Sequence, residues 1–302
     1  MTISPLDHYS LHEAVPITIG DVSAFIDEVG VAAEALECDV YWRGQTDHRW
    51  AVTSSLSRLS DSPTVSTDSD LRGAEVALIK EAKRWVTSLV TKPANDLEWL
   101  ALLQHMGVPT RLIDFTPNPL IATFFASESH DEVEGRLFGI LIPKTNSPLG
   151  EEAASRFEIN SLKQGEVRLW KPPVALSPRV AVQSGVFALS KLPSTSPRRL
   201  VQDELAPQGK RPMLRSEVVS VMSMPLAISS LDTKARPNTS GVRCYTARVH
   251  VDKAAIREQL AKRAKKGTLR PSGDAIDHSY CYPDVEGMMQ YSQVLARIRR
   301  GI

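Results

Sequence analysis

Cysteine is scarce in this sequence, and its scarcity narrows the possibilities. Cys38, Cys244 and Cys281 are three in number and widely scattered, which excludes a disulfide framework and the closely spaced pairs of a zinc site. Long apolar runs are missing too: none approaches the roughly 20 residues of a membrane span. The N-terminal MTISPLDHYSLHEAV lacks the basic start and apolar core of a secretion signal. These absences predict a reducing, cytoplasmic setting and no membrane partner. A charge imbalance is also lacking. With a formal net charge of +1, contact with nucleic acid would have to come from a local patch. There is no internal repeat, no phosphate-binding glycine loop ahead of a lysine, no Gly-x-Ser-x-Gly elbow, no helical His pair and no acidic cluster suited to a two-metal nuclease. Metal ligation is not expected.

What is present is globular composition: 302 residues, 42% hydrophobic and 24% charged. Strands are predicted as short separated runs without regular strand-helix alternation, which points to an α+β fold. The expected architecture is a single domain over 18–302, with a mixed, mainly antiparallel sheet flanked by helices. An irregular arm over 1–17 precedes it, and a proline-rich, charged excursion interrupts it at about 190–215.

The stretch 95–127, NDLEWLALLQHMGVPTRLIDFTPNPLIATFFAS, organises the rest. Asn95 or Asp96 can cap a helix carrying Trp99, Leu100, Leu103 and Met106 at helical spacing, and Gly107 stands where a left-handed residue ends it. His105 therefore falls in the last turn. Pro109 forbids continuation, and Arg111 to Thr116 alternates as a strand with one buried face. Arg111 and Asp114 lie on opposite faces of an ideal strand, so their convergence needs a bulge or turn. Asn118 and Pro119 make an N-cap and first-turn pair for the next helix, whose unpaired amides are a natural seat for phosphate or carboxylate.

Elsewhere, Val22, Phe25, Ile26 and Val29 mark a first helix. A first strand follows at 40–45 and ends in Arg43-Gly44-Gln45, where a glycine beside a guanidinium suits close approach of an anion. Residues 61–70 read as a mobile loop. Leu78, Ala82, Trp85, Val86 and Leu89 predict a helix with Trp85 packed inward. Strands are expected at 136–142, 167–170, 217–226 and 242–251, and 144–165 reads as irregular. Residues 178–189 read as a strand bent at Ser184-Gly185, placing Arg179, Ala181 and Gln183 on one face. Asp252 caps a helix with Ile256, Leu260 and Ala264 as its stripe. The basic residues over 253–270 read as a solvated face in preference to a nucleic-acid contact, since no aromatic is interleaved with them. A last helix runs through Met288, Tyr291, Leu295 and Ile298.

With YWRGQ, LLQHMGVPTRLIDFTPNPLIATFFA, PRVAVQSGVF and YPDVEGM side by side, the sequence resembles the FRG domain family, named after its aromatic-Arg-Gly motif, over about 25–291. Trp42 stands at the aromatic position. The resemblance places the family's polar signature on Arg43, Gly44 and Gln45, on His105, Thr110, Arg111 and Asp114, and on Arg179 and Gln183. A more distant similarity is to ADP-ribosyltransferases. These hold the pyrophosphate of NAD with an arginine at the end of a first strand, then run a short strand with Ser or Thr into a helix, then place a glutamate on a later strand. Arg43, then Asp114-Phe115-Thr116, then Gln183 follow that order.

The similarity implies NAD as substrate, with Arg43, Gly44, Gln45, Thr110, Arg111, Thr116 and Arg179 binding it and Asp114, His105 and Gln183 acting on it. Gln183 departs from the pattern because an amide cannot accept a proton as a carboxylate does, which leaves Asp114 or Glu286 as the acid. Three other readings share these residues. One is a module that binds a nucleotide or other phosphate-bearing ligand without turnover. Another is a metal-independent nuclease in which His105 moves protons and the arginines stabilise an oxyanion. The last is a purely structural set in which Asp114 pairs with an arginine and His105 caps helix carbonyls.

Overall fold

The computed structural model describes residues 19–50, 52–58, 68–87, 92–163, 166–191, 200–202, 207–212, 228–229, 241–265 and 275–300. In chain order they form α1 (Ile19–Ala35), β1 (Cys38–Gln45), α2 (Asp68–Trp85), α3 (Asp96–His105), β2 (Ile113–Phe115), α4 (Pro119–Ser127), β3 (Gly135–Pro143) and β4 (Val167–Trp170). There follow α5 (Pro178–Gln183), β5 (Val186–Ser190), β6 (Leu200–Gln202), β7 (Lys210–Pro212), β8 (Ile228–Ser229), β9 (Arg243–Val249), α6 (Lys253–Lys265) and α7 (Val285–Arg300). Short helical turns lie at Ser55–Arg58, Glu151–Ser155 and His278–Cys281, and 3-10 turns at Lys144–Asn146, Ile159–Ser161 and Val174–Leu176.

β3 reads GRLFGILIP and is buried along all but its last residue, the near-continuous apolar pattern of a strand covered on both faces. It pairs antiparallel with β1 on one side and β9 on the other, and β9 takes the short β8 in parallel, giving a mixed sheet in the order β1-β3-β9-β8. A second, antiparallel sheet has the order β2-β5-β4, and β6 and β7 form a separate hairpin. The fold is α+β, with the strands other than β6 and β7 divided between two stacked sheets.

Period-two alternation sorts the layers. Leu137 and Leu141 of β3 pack with Val22, Phe25 and Val29 of α1 and with Ala122 and Phe124 of α4. Phe138, Ile140 and Ile142 face the other way, onto Ile113, Phe115, Leu169 and Val186 of the second sheet. That sheet's far side carries Trp170, Phe187 and Leu189 against Leu97, Leu100 and Leu103 of α3 and Ile79 of α2. The order of layers is helix, sheet, sheet, helix. Phe138, Ile140 and Ile142 contribute roughly 1.5–3 kcal/mol each, a large part of the ~5–15 kcal/mol by which a domain is stable, so the sheets cannot part without unfolding. A two-residue bridge ties them at one edge: Trp42 N donates to Thr116 O at 2.7 Å, and Thr116 N donates back to Trp42 O at 2.9 Å.

Local expectations hold at many joints. Asn95 caps α3, accepting from Glu98 N at 3.0 Å, and Gly107 takes φ +80 just beyond it. Asn118 caps α4, with Pro119 in the first turn. Ile256 and Leu260 are buried on α6.

Four expectations are corrected. Residues 178–183 are helical, because Ser177 caps the turn by accepting from Arg179 N and Pro178 fits its first position. Left-handed Ser184 (φ 49) then turns the chain into β5. On α2 the buried stripe is Leu71, Glu75, Ile79 and Ala82, while Trp85 is 77% exposed. A charge pair at Glu75, invisible to apolar periodicity, carries that face inward. Asp68 to Asp70 open α2 and do not form a loop, and residues 144–163 contain the helical turn Glu151–Ser155 and two 3-10 turns. Met288 and Tyr291 of α7 are exposed. The expected arm over 1–17, the expected strand over 217–226 and much of 190–215 lie outside the described residues. Among the described residues no helix is long and apolar enough to cross a membrane.

Candidate functional site

Alternation along β1 aims Arg43. Trp42 packs into the helix layer and Tyr41 into the layer between the sheets, so Arg43, two residues beyond Tyr41, also turns toward the second sheet. There its Nη1 donates to the backbone carbonyl of Asp114 at 2.9 Å and lies 4.0 Å from the Asp114 carboxylate. Gly44 faces α4. A Cβ there would lie 1.8 Å from Ala122 O and 2.5 Å from Ala126 N, so helix packing requires this glycine.

Asp114 is the outward residue of β2, between buried Ile113 and Phe115, and its side chain is 65% exposed. Gln104 of α3 donates its amide to both Asp114 oxygens, at 2.8 and 2.9 Å. Gln104 is held in turn by Thr110, whose hydroxyl donates to its side-chain oxygen. Thr110 is fully buried and supports the site from behind. Next along α3, His105 brings Nδ1 to 3.3 Å from Ser177 Oγ, which also caps α5.

Strand β2 ends at a polar junction with α5. Thr116 Oγ1 donates to Gln183 O at 2.7 Å and accepts from Asn118 N at 3.0 Å. Gln183 donates its side-chain amide to Cys281 O at 2.7 Å. One turn earlier, Arg179 binds Asp284 through Nε and, at 2.7 Å, through Nη2, and its guanidinium stacks 5.1 Å from the Tyr282 ring centre. The Arg179 hydrogen bond holds the Asp284 carboxyl below the ordinary carboxylate range, against a smaller opposing effect of burial.

These elements enclose a cavity of about 720 Å³. Arg43, His105, Asp114, Thr116, Arg179 and Gln183 all line it, and so do Gly44 and Gln45. Arg111 does not converge with them. It is 4% exposed and turned away, with Nε donating to Glu75 at 2.5 Å and Nη1 to Asp68 at 3.0 Å. The first turn of α4 is also absent from the walls, which take Ala122 and Phe125 from that helix. Its Leu120 amide is already capped by Asn118. Glu286 reaches Arg179 Nη2 at 3.3 Å but is not a wall residue.

Residues 38–135 match the family model of the FRG domain. The match covers the expected family motifs around Arg43 and from Gln104 to Thr116, and it stops at the first residue of β3. The cavity is completed from outside the match, by Ser177, Arg179, Gln183 and Tyr282. No curated protein and no solved structure matches the chain significantly.

Several wall residues escaped sequence reasoning, among them Gln104, Trp50, Glu128 and Tyr282. Gln104 sits inside a motif whose charged neighbours draw attention away from it. Trp50 is 49% exposed at the cavity and meets His130 edge-on at 5.7 Å. Glu128 is the first ionisable residue after the apolar run of α4, and Tyr282 donates its hydroxyl to Glu128 Oε1 at 2.7 Å. Burial raises the Glu128 carboxyl above its ordinary range, outweighing the Tyr282 hydrogen bond and the nearby His278, Arg179 and Arg257. Burial, then the adjacent Glu128, pushes the Tyr282 phenol far up, so it stays a hydrogen-bond donor.

Proposed function

We propose that the cavity binds a dinucleotide of the NAD class and breaks its N-glycosidic bond, transferring the ADP-ribosyl group to water or to a target. The observation that carries this reading is the placement of Asp114: an exposed carboxylate, held through both oxygens by Gln104, lies 4.0 Å from the Arg43 guanidinium in one cavity. A guanidinium suits a pyrophosphate. A fixed carboxylate suits the positive charge that develops on a ribose as its base departs. About 720 Å³ lies within the range of small-molecule sites, and the aromatic walls from Trp50, Phe125 and Tyr282 offer apolar surface to rings. The order of Arg43 and Asp114 along the chain follows the ADP-ribosyltransferase pattern. Gln183 lies on a helix with its amide committed to Cys281, so the carboxylate role falls to Asp114.

Calorimetric titration with NAD, followed by a nicotinamide-release assay, tests this. NAD binds the wild-type protein, Arg43→Ala weakens binding roughly ten- to a hundredfold through loss of a charge-assisted contact, and Asp114→Asn keeps binding while losing release. Absence of NAD binding at millimolar concentration refutes the reading. Binding without turnover assigns the cavity to a nucleotide-binding module. RNA or DNA cleavage that both substitutions abolish assigns it to a nuclease.

A further inference from the structure

We infer that Glu128 is a second catalytic carboxyl group of this cavity, taking the proton of the nucleophile that replaces the departing base, while Asp114 faces the charge on the ribose. The inference rests on the function proposed above. Glu128 lies at the C-terminal end of α4 and lines the same cavity as Asp114 and Arg43. The two carboxyl groups are held differently. Asp114 is exposed and receives an amide on both oxygens. Glu128 is half-buried and receives one phenol hydroxyl on Oε1.

Four groups face Glu128 from other elements: Tyr282, His278, Arg179 from α5 and Arg257 from α6. The two arginines are engaged by other carboxylates, Arg179 by Asp284 and Arg257 by Asp131 at 2.7 and 2.8 Å. Burial therefore dominates and raises the proton affinity of Glu128, which strengthens it as a proton acceptor. Its orientation is fixed. Tyr282 is gripped by Phe125 edge-on at 5.9 Å, by His278 at 4.6 Å and by Arg179 above its ring.

The bond from the ribose carbon to the ring nitrogen breaks, and its electron pair leaves with nicotinamide as the neutral base. Oxygen of water or of a hydroxyl forms the new bond to that carbon. The proton of that oxygen passes to the Glu128 carboxylate, which returns it to solvent.

The test is nicotinamide release as a function of pH, with NAD affinity measured in parallel by calorimetry. Glu128→Gln keeps an acceptor oxygen for Tyr282 and binds NAD with wild-type affinity, while kcat falls about 10²- to 10⁴-fold and the part of the acidic limb set by Glu128 disappears, leaving that of Asp114. Tyr282→Phe leaves Glu128 in place but removes a hydrogen bond that favours its ionised form, so the acidic limb moves to higher pH. This second variant decides the matter if Glu128→Gln does not fold. A wild-type rate in Glu128→Gln, or an acidic limb that ignores Tyr282→Phe, overturns the role of Glu128 and leaves the cavity reading standing. A wild-type protein that neither binds nor cleaves NAD overturns that reading, and this inference with it.

Discussion

Gln104 grips Asp114 by both carboxylate oxygens while its own oxygen accepts the buried hydroxyl of Thr110. The carboxylate is thus aimed by a chain that starts in the core. Hydrogen bonds to charged groups are worth ~1.5–3 kcal/mol. Gln104→Ala is therefore expected to lower kcat for nicotinamide release by roughly ten- to a hundredfold. KM should change little, because the proposed pyrophosphate contact belongs to Arg43. Steady-state kinetics with an unchanged kcat would remove Gln104 from this role.

Gly44→Ala tests the packing of β1 under α4. The added methyl would meet backbone, Ala122 O at 1.8 Å and Ala126 N at 2.5 Å, so no side-chain rotation relieves it. The expected cost is about 3 kcal/mol, the upper end of the usual overpacking range, read as a lower urea midpoint. A midpoint equal to that of the wild type would show that α4 shifts freely.

The Arg111 and Glu75 pair makes a stability prediction separate from catalysis. Glu75→Ala takes one of two carboxylate partners from the buried Arg111 guanidinium, leaving Asp68, and is expected to cost about 3 kcal/mol, the lower end for a broken buried pair, whereas Glu75→Leu combined with Arg111→Met recovers most of that loss. Burial raises the Glu75 carboxyl, against the pull of Arg111 and Arg72. Its contribution to stability is therefore fully present below the unfolded value of about 4.3 and is lost as pH rises through the folded value. Denaturant midpoints of wild type and the double variant against pH check the sign.

Asp284 works in the opposite direction. The Arg179 hydrogen bond depresses its carboxyl, and the Gly287 amide adds to this at 2.8 Å. Its stabilisation is present above the unfolded value of about 3.9 and is lost as pH falls through the lower folded one. Asp284→Asn is expected to be less stable than wild type at neutral pH, with the gap closing in acid. Thermal melts across that range would contradict this if the gap stayed constant.

Local chemistry made much of the fold legible. The Asn95 cap, the stop at Gly107, the Asn118-Pro119 start and the apolar run of β3 are decided by neighbours within a few residues. What was hidden depends on distant neighbours. Arg111 turns away from the cavity because Glu75, 36 residues upstream, takes its guanidinium, and no periodicity announces that pairing. Residues 178–183 alternate like a strand, yet a serine cap, a proline and a carbonyl at Cys281 receiving the Gln183 amide select a helix. Glu128 looks like a surface residue after an apolar helix until Tyr282, 154 positions later, closes over it.

The pairing of β3 with β9 sets an order of events during synthesis. β3 is complete at Pro143, but its second edge is filled only when Arg243–Val249 has been made. At ~5–20 residues per second, one side of the central strand waits roughly 5–20 s for its neighbour. Through that interval the apolar edge of a half-built sheet is open to other chains. The segment that carries the recognisable motif thus emerges well before the strand that shields it.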